Sequence, residues 1–279
     1  MVDNCCSSLI QNNEFFINLL ADLGILVDKI TGHLYYMKSF KPLKLCVEVI
    51  FVRHGETYGN CGQVTADGTI DREMVNADII NQEHRVFQGS ADTEINQLTK
   101  RGEEQALSLA QKLNEICIDN WKPDVILASP STRAIKTALP FIQLWDYSVL
   151  PLIYKGVREI SFGTWENKRL CDFHRSHSCY LFSQHQHALI KAESIAQYPN
   201  AENFAELIFR AYSVLHELNT TFTKKRVIIF SHTLFGAACL IVLGKGQYYE
   251  GHEYLAFDGR RKDGSYYTMP NAEPVKFWD

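Results

Sequence analysis

The chain has 279 residues, 46% of them hydrophobic and 22% charged, the make-up of a globular protein with a sizeable core. Its formal net charge of −4 gives no long-range attraction to nucleic acid or to an anionic membrane, so neither is expected as a partner. Eight cysteines are scattered along the chain, with Cys46, Cys117 and Cys239 inside apolar stretches, which argues for free thiols in a reducing, cytoplasmic setting.

Residues 1–44 read as a helical extension ahead of a main domain, 45–279. Phe15, Phe16, Leu19, Leu20 and Leu23 recur at helical spacing and predict a short amphipathic helix. Most apolar stripes are core, so the helix is expected to pack back on the domain, with docking on a protein partner as the second reading. The apolar patch from Phe15 to Val27 is preceded by no Lys or Arg and is interrupted by Asp22 and Gly24, which argues against a signal peptide. It is also too short to span a bilayer. The pair Cys5-Cys6 could carry a lipid, but no myristoylation signal follows Met1.

From Cys46 to Val52 an apolar run broken only by Glu48 predicts a buried strand. It stops at Arg53-His54-Gly55-Glu56-Thr57, with Asn60 just beyond. A buried strand that ends in a cation, an imidazole and a glycine is not a core pattern. Gly55 lets the backbone turn close to a ligand, and ligands of open α/β sheets bind at the carboxyl ends of strands. A surface arginine beside a satisfied histidine is the plain alternative. The stretch from about 58 to 93 has no sustained periodicity, and loops of such length are usually functional or mobile. Thr99 then reads as the N-cap of a helix carrying Ala106, Leu109, Ala110 and Leu113.

A turn at Trp121-Lys122-Pro123-Asp124 leads into a second buried strand, Val125 to Ala128, which ends in Ser129-Pro130-Ser131. The helix after it carries Arg133 in its first turn, a second guanidinium at the same sheet edge, beside a helix N-terminus that favours anions. A short third strand is expected from Val149 to Ile153, before Glu159, Phe162-Gly163 and Trp165-Glu166. The segment 171–200, rich in histidine and aromatics, reads as a lid inserted over the sheet. A helix from about Glu202 to Leu218 precedes a last strong strand, Val227 to Phe230, which ends in Ser231-His232-Thr233. A helix with Phe235, Ala238, Cys239 and Val242 follows, and the tail from about Gln247 reads as hairpin or loop. This alternation predicts a mostly parallel α/β sheet whose polar strand ends converge on one crevice.

Arg53, His54, Arg133 and His232, with Asn60 and Glu159 nearby, suit a dianionic phosphoryl group. A histidine nitrogen can attack phosphorus in line, and a carboxylic acid can protonate the leaving oxygen and later deprotonate water. That chemistry requires neither metal nor cofactor. Cys171, His174, His177, Cys179, His185 and His187 could bind zinc, but their spacing matches no standard finger, so a polar lid is the preferred reading. No P-loop, dinucleotide fingerprint or Gly-x-Ser-x-Gly elbow is present.

The sequence resembles the histidine phosphatase superfamily, in its phosphoglycerate-mutase-like branch. The likeness is carried by Arg53-His54-Gly55-Glu56-Thr57 with Asn60, then Phe87-Gln88-Gly89, Leu98-Thr99 and Gly102 with Gln105-Ala106. Ala128-Ser129-Pro130 with Arg133 and Thr137-Ala138, Glu159 with Phe162-Gly163 and Trp165-Glu166, Glu202, Glu206 and Arg210, and Ser231-His232 follow in the family's order. The resemblance implies a three-layer α/β/α sandwich and a phosphohistidine formed on His54. It implies that Arg53, Asn60, Arg133 and His232 hold the phosphoryl group, that Gln88 and Gly89 line the substrate side, and that Glu159 is the acid. Glu166 is the rival for that last role; Glu159 is preferred because it precedes Phe-Gly as the family's proton donor does. Three positions depart from the pattern. Thr233 stands where glycine is usual, Asn203 where serine is common, and the stretch between Asn60 and Phe87 is long, which implies a remodelled entrance. The expected activity is metal-independent hydrolysis of a small phosphomonoester. A phosphoglycerate-type mutase and a non-catalytic partner-binding protein of the same fold are the alternatives.

Overall fold

Consecutive residues of the central strands enter opposite cores. Val49, Phe51, Val227 and Ile229 pack into one apolar cluster, while Ile50, Val52, Ile228 and Phe230 pack into another. Both faces of these strands are therefore buried, which is why they read as continuous hydrophobic runs rather than as alternating patterns. The computed structural model describes residues 3–74, 81–118, 121–145, 150–185, 187–249, 251–257 and 269–278, with side chains from Asn13 onward and those of 184 and 185 left aside.

In chain order the elements are α1 (Asp3–Asp22), β1 (Ile25–Val27), β2 (Leu34–Tyr36), β3 (Glu48–Arg53), α2 (Tyr58–Cys61), α3 (Lys100–Ile118) and β4 (Val125–Ala128). They continue with α4 (Thr132–Leu144), β5 (Leu152–Ile153), α5 (Ser178–His185), α6 (Phe204–Thr221), β6 (Arg226–Ser231), α7 (Thr233–Val242) and β7 (Pro274–Lys276). The main sheet has the order β5-β4-β6-β3-β7, parallel except for β7, which runs antiparallel along β3. Helices α6 and α7 cover one face, with α1 packed on α6, and α3 and α4 cover the other, giving the expected three-layer α/β/α sandwich.

The N-terminal segment packs back on the core. Ile17 and Leu20 of α1 are buried with α6 residues, and the separate hairpin β1–β2 buries Ile25, Val27 and Leu34 in the same cluster. A polar tie adds direction: Asn203 Nδ2 donates to Asn13 Oδ1 at 2.8 Å, and Asn13 Nδ2 donates to Leu189 O at 3.1 Å. The side chains of Cys5 and Cys6 lie outside the described residues. So does Val149, the expected start of the third strand, which is reduced to Leu152–Ile153 with both side chains exposed. The tail supplies a sheet strand, β7, where hairpin or loop was expected. Among the described residues no helix is long and apolar enough to cross a membrane.

Candidate active site

The strand register brings the polar ends together. Val52 pairs with Phe230 and Phe230 with Ala128, so Arg53, Ser231 and Ser129 leave the sheet at one level. The ladder continues one step further, with His54 N donating to Ser231 O at 3.0 Å and Ser129 N to Phe230 O at 2.9 Å. His54 and His232 thus face each other across adjacent strand ends, ring centres 5.2 Å apart at 63°.

Just after β3 the chain passes so close to the start of α3 that both partners must be glycine at the contact. A Cβ on Gly102 would lie 2.1 Å from Glu56 O, and one on Gly55 would lie 2.5 Å from Gly102 O. Thr99 caps α3 as expected, accepting from Gly102 N at 3.0 Å, and its hydroxyl donates to Glu56 Oε1 at 2.9 Å. Gly55 N donates to Thr137 Oγ1 on α4 at 3.0 Å. The His54 backbone is therefore fixed by β6, α3 and α4 together.

The hydrogen bonds also fix the tautomer. His54 Nδ1 lies 2.7 Å from Gly55 O, and a carbonyl can only accept, so the proton sits on Nδ1 and the lone pair on Nε2. Burial, then the Arg133 and Arg53 guanidiniums, hold the His54 pKa well below its usual 6.5, so the ring is neutral near pH 7. His232 is depressed for the same reasons, with His54 contributing as well; its Nε2 is 2.8 Å from Ser129 Oγ.

Arg133 is fully buried and held by carbonyls rather than carboxylates: Nη1 donates to Ala91 O at 3.0 Å and Nη2 to Gly89 O at 2.6 Å. Gly89 sits against Ile160 O, which a Cβ would meet at 2.2 Å. Arg53 Nη1 donates to Met269 O at 3.1 Å. Thr57 caps α2 by accepting from the backbone N of Asn60 at 3.2 Å and donates to Gln88 Oε1 at 2.9 Å, which fixes the Gln88 amide beside the start of α2. Asn60 Nδ2, Gln88 Nε2, Arg133 Nε and His232 Nδ1 are buried without a hydrogen-bond partner among the described residues. Buried polar nitrogens left open cost about 1–3 kcal/mol each, a cost that an oxygen-rich ligand removes.

Glu159 lies in the same pocket, 5% exposed. Its carboxylate accepts from the first turn of α7, Leu234 N and Phe235 N at 3.1 Å each, and from Ile160 N at 3.0 Å. Those bonds and Arg133 favour the charged form, yet burial outweighs them and raises its pKa above 4.5. Glu166 does not line the pocket. Its oxygens accept from Gly89, Ser90, Ala91 and Phe162 backbone N–H groups and from Ser90 Oγ, at 2.7 to 3.2 Å.

The pocket is lined by Arg53, His54, Asn60, Gln88 and Glu159 on its polar side, with Val86, Phe87, Phe162, Phe182, Leu234 and Phe257 forming an apolar wall and Arg85, Ser183 and Thr233 between. His232 lies against His54, and Arg133 is bonded to Gly89 O next to Gln88, so these three adjoin the polar side. All eight residues singled out in the sequence are thus gathered at one place. Sequence reasoning missed Arg85 in the long loop, Phe182 and Ser183 on α5, and Phe257 in the tail, all from segments without periodic pattern. Among the described residues no group of three or more His, Cys, Asp or Glu is placed to hold a metal. In the 171–187 cluster, His174 Nδ1 pairs with Ser176 Oγ at 2.8 Å, His177 packs on Phe173 and Trp165, and Cys179 is buried in the core; the His185 side chain lies outside the described residues.

Residues 49–254 match the histidine phosphatase superfamily (branch 1). This chain belongs to that superfamily. A mannitol-1-phosphatase of Eimeria tenella is 32% identical to this histidine phosphatase over 283 residues, covering 91% of this chain and 82% of that protein. Among solved structures, a mycobacterial glucosyl-3-phosphoglycerate phosphatase aligns with a TM-score of 0.51 at 18% identity, over 82% of this chain and 91% of that one. A phosphoglycerate mutase from Bacillus anthracis aligns equally well, with a TM-score of 0.51 at 19% identity over 82% and 86%. At such identities the two structures share the fold and nothing narrower.

Proposed function

We propose that this histidine phosphatase, a phosphomonoester hydrolase, works by double displacement through a phosphohistidine on His54, with Glu159 as the acid and then the base. The observation that carries the reading is the buried, neutral His54, its proton pinned on Nδ1, in one pocket with the buried carboxyl of Glu159. In the first step Nε2 bonds to phosphorus, the bond from phosphorus to the ester oxygen breaks, and the Glu159 proton passes to that oxygen. In the second step water attacks phosphorus, the N–P bond breaks, and Glu159 takes the water proton. Arg53 and Arg133 supply the positive charge, and Asn60, Gln88 and His232 offer their open nitrogens to the equatorial oxygens. Metal is not needed for any of these steps.

The relative named for mannitol 1-phosphate supports a small, slender phosphorylated polyol as substrate. Arg85 and Ser183 line the pocket where the hydroxyl groups of such a molecule would lie, and the phenylalanine wall lines it where the carbon chain would lie. The test is release of inorganic phosphate from an aryl phosphate and from hexitol 1-phosphates, with chelator present, by wild type and His54→Ala. The expected result is activity that survives the chelator, falls on the order of 10⁴-fold or more in the variant, and leaves an acid-labile phosphoenzyme in wild type only. Phosphoryl exchange between substrates without release of phosphate would identify a mutase. An inactive wild type that still binds a protein partner would identify a scaffold. A phosphoenzyme that persists in His54→Ala would place the nucleophile elsewhere.

A further inference from the structure

A catalytic acid is useful only where its carboxyl is held, and the chain segment that delivers Glu159 has no regular structure beyond a single 3-10 turn at Lys155–Val157. Four successive carbonyls of that segment are nevertheless all engaged from behind. Arg210 on α6 donates through Nη1 to Gly156 O at 2.7 Å and to Arg158 O at 2.9 Å, and through Nη2 to Glu159 O at 3.3 Å. Ser231 Oγ at the end of β6 donates to the remaining one, Val157 O, at 2.6 Å. Glu202 in turn fixes the Arg210 fork with two oxygens, 2.9 Å from Nε and 3.0 Å from Nη2, and pairs with Arg158 at 3.0 Å. The same guanidinium lies over the Phe235 ring, 5.2 Å from its centre, and the backbone N–H of Phe235 is one of the groups that hold the Glu159 carboxylate.

One side chain therefore touches both the segment that carries the acid and the helix turn that receives it. We propose that Arg210, oriented by Glu202, is the positioning residue that sets Glu159 for proton transfer to the leaving oxygen. The inference rests on Glu159 being the acid. Arg210 does not line the pocket and touches no reacting atom. A planar fork with two fixed donor edges matches three carbonyls and a carboxylate; an ammonium on a flexible stem does not, so lysine is a poor substitute.

The experiment is kcat/KM of the full-length wild type, Arg210→Gln, Arg210→Lys and Glu159→Gln on a series of esters running from dinitrophenyl phosphate through phenyl phosphate to an alkyl phosphate. Proton donation matters little when the leaving group is a stable anion and greatly when it is an alkoxide. The expected result is a small loss on dinitrophenyl phosphate, growing to on the order of 10²- to 10⁴-fold on the alkyl ester, in Arg210→Gln and Glu159→Gln alike, with Arg210→Lys nearer to Gln than to wild type. Thermal unfolding of each variant is measured alongside, and Glu202→Gln takes the place of any Arg210 variant that fails to fold. A loss that is uniform along the series in the Arg210 or Glu202 variants, while Glu159→Gln shows the steep dependence, overturns the positioning role and leaves the acid intact. A flat series in Glu159→Gln overturns the acid assignment and the inference with it.

Discussion

At the scale of single residues, the two glutamates near the pocket divide the work by what they accept from. Glu159 takes N–H groups of α7 and remains open to the pocket, whereas Glu166 is filled by the loop at 89–91 and by Phe162. That loop presents Gly89 O and Ala91 O to Arg133, so Glu166 acts on the phosphoryl site through the loop as well as by its charge, which favours the Arg133 cation. In Glu166→Gln one acceptor oxygen becomes an NH2 group facing N–H donors, and the loop must shift. A displacement of about 1 Å at a charge clamp costs on the order of 10²-fold. The expected outcome is a fall of that size in kcat/KM, with vanadate inhibition weakened in parallel because Arg133 has moved. Wild-type vanadate affinity in the variant would break the proposed link between Glu166 and Arg133. Arg133→Lys provides the reference, since it loses the two-pronged hold directly.

At the scale of elements, Asn203 shows what one substitution in a family pattern can do. It caps α6 through Glu206 N at 2.9 Å, a role serine fills equally well, but its amide nitrogen also reaches Asn13 on α1. Asn203→Ser should keep the cap and lose the hydrogen bond to Asn13, at a cost of about 0.5–1.5 kcal/mol. The expected result is a lower unfolding midpoint, with most of the loss absent when Asn13→Ala is already in place; additive effects of the two substitutions in a double-mutant cycle would show that the bond carries no coupling. This tie was not legible in the sequence, because it joins residues 190 positions apart through side chains alone. The central strands were legible, since Val49 to Val52 and Val227 to Phe230 are buried on both faces and need unbroken apolar runs. So were Arg53, His54 and His232, which stand where such runs stop, and Arg133 just beyond one, whereas Gln88 and Gly89 stood out only through the resemblance to the family pattern. The β1–β2 hairpin and β7 were not, as three-residue strands offer no periodicity and β7 is chosen by the free edge of β3. The apolar wall escaped for a related reason: Phe182 and Phe257 are core phenylalanines by composition, and only the fold turns them toward Glu159.

At the scale of the whole molecule, the site biases the pH dependence of stability. The unfolded chain protonates His54 and His232 near the ordinary 6.5, whereas burial and the two guanidiniums keep both neutral in the fold to well below that. Below about pH 6.5 the unfolded state therefore binds more protons, and stability falls with falling pH at up to about 1.4 kcal/mol per pH unit for each ring. Glu159 works in the opposite sense: its raised pKa means the fold holds a proton that the unfolded chain releases above 4.5, so its contribution is present at low pH and lost as pH rises through the folded value. Between pH 7 and 5 the two imidazoles outweigh the one carboxyl. Denaturant unfolding over that range should show stability declining towards acid, with a shallower slope in His232→Asn, where one of the two rings is gone. Inorganic phosphate should reduce the decline, because a bound dianion screens His54 from Arg53 and Arg133 and lets the rings accept protons in the folded state as well. A slope unchanged by both the substitution and the anion would mean that the strand-end histidines titrate normally, and the neutral nucleophile on which the double-displacement reading depends would be lost.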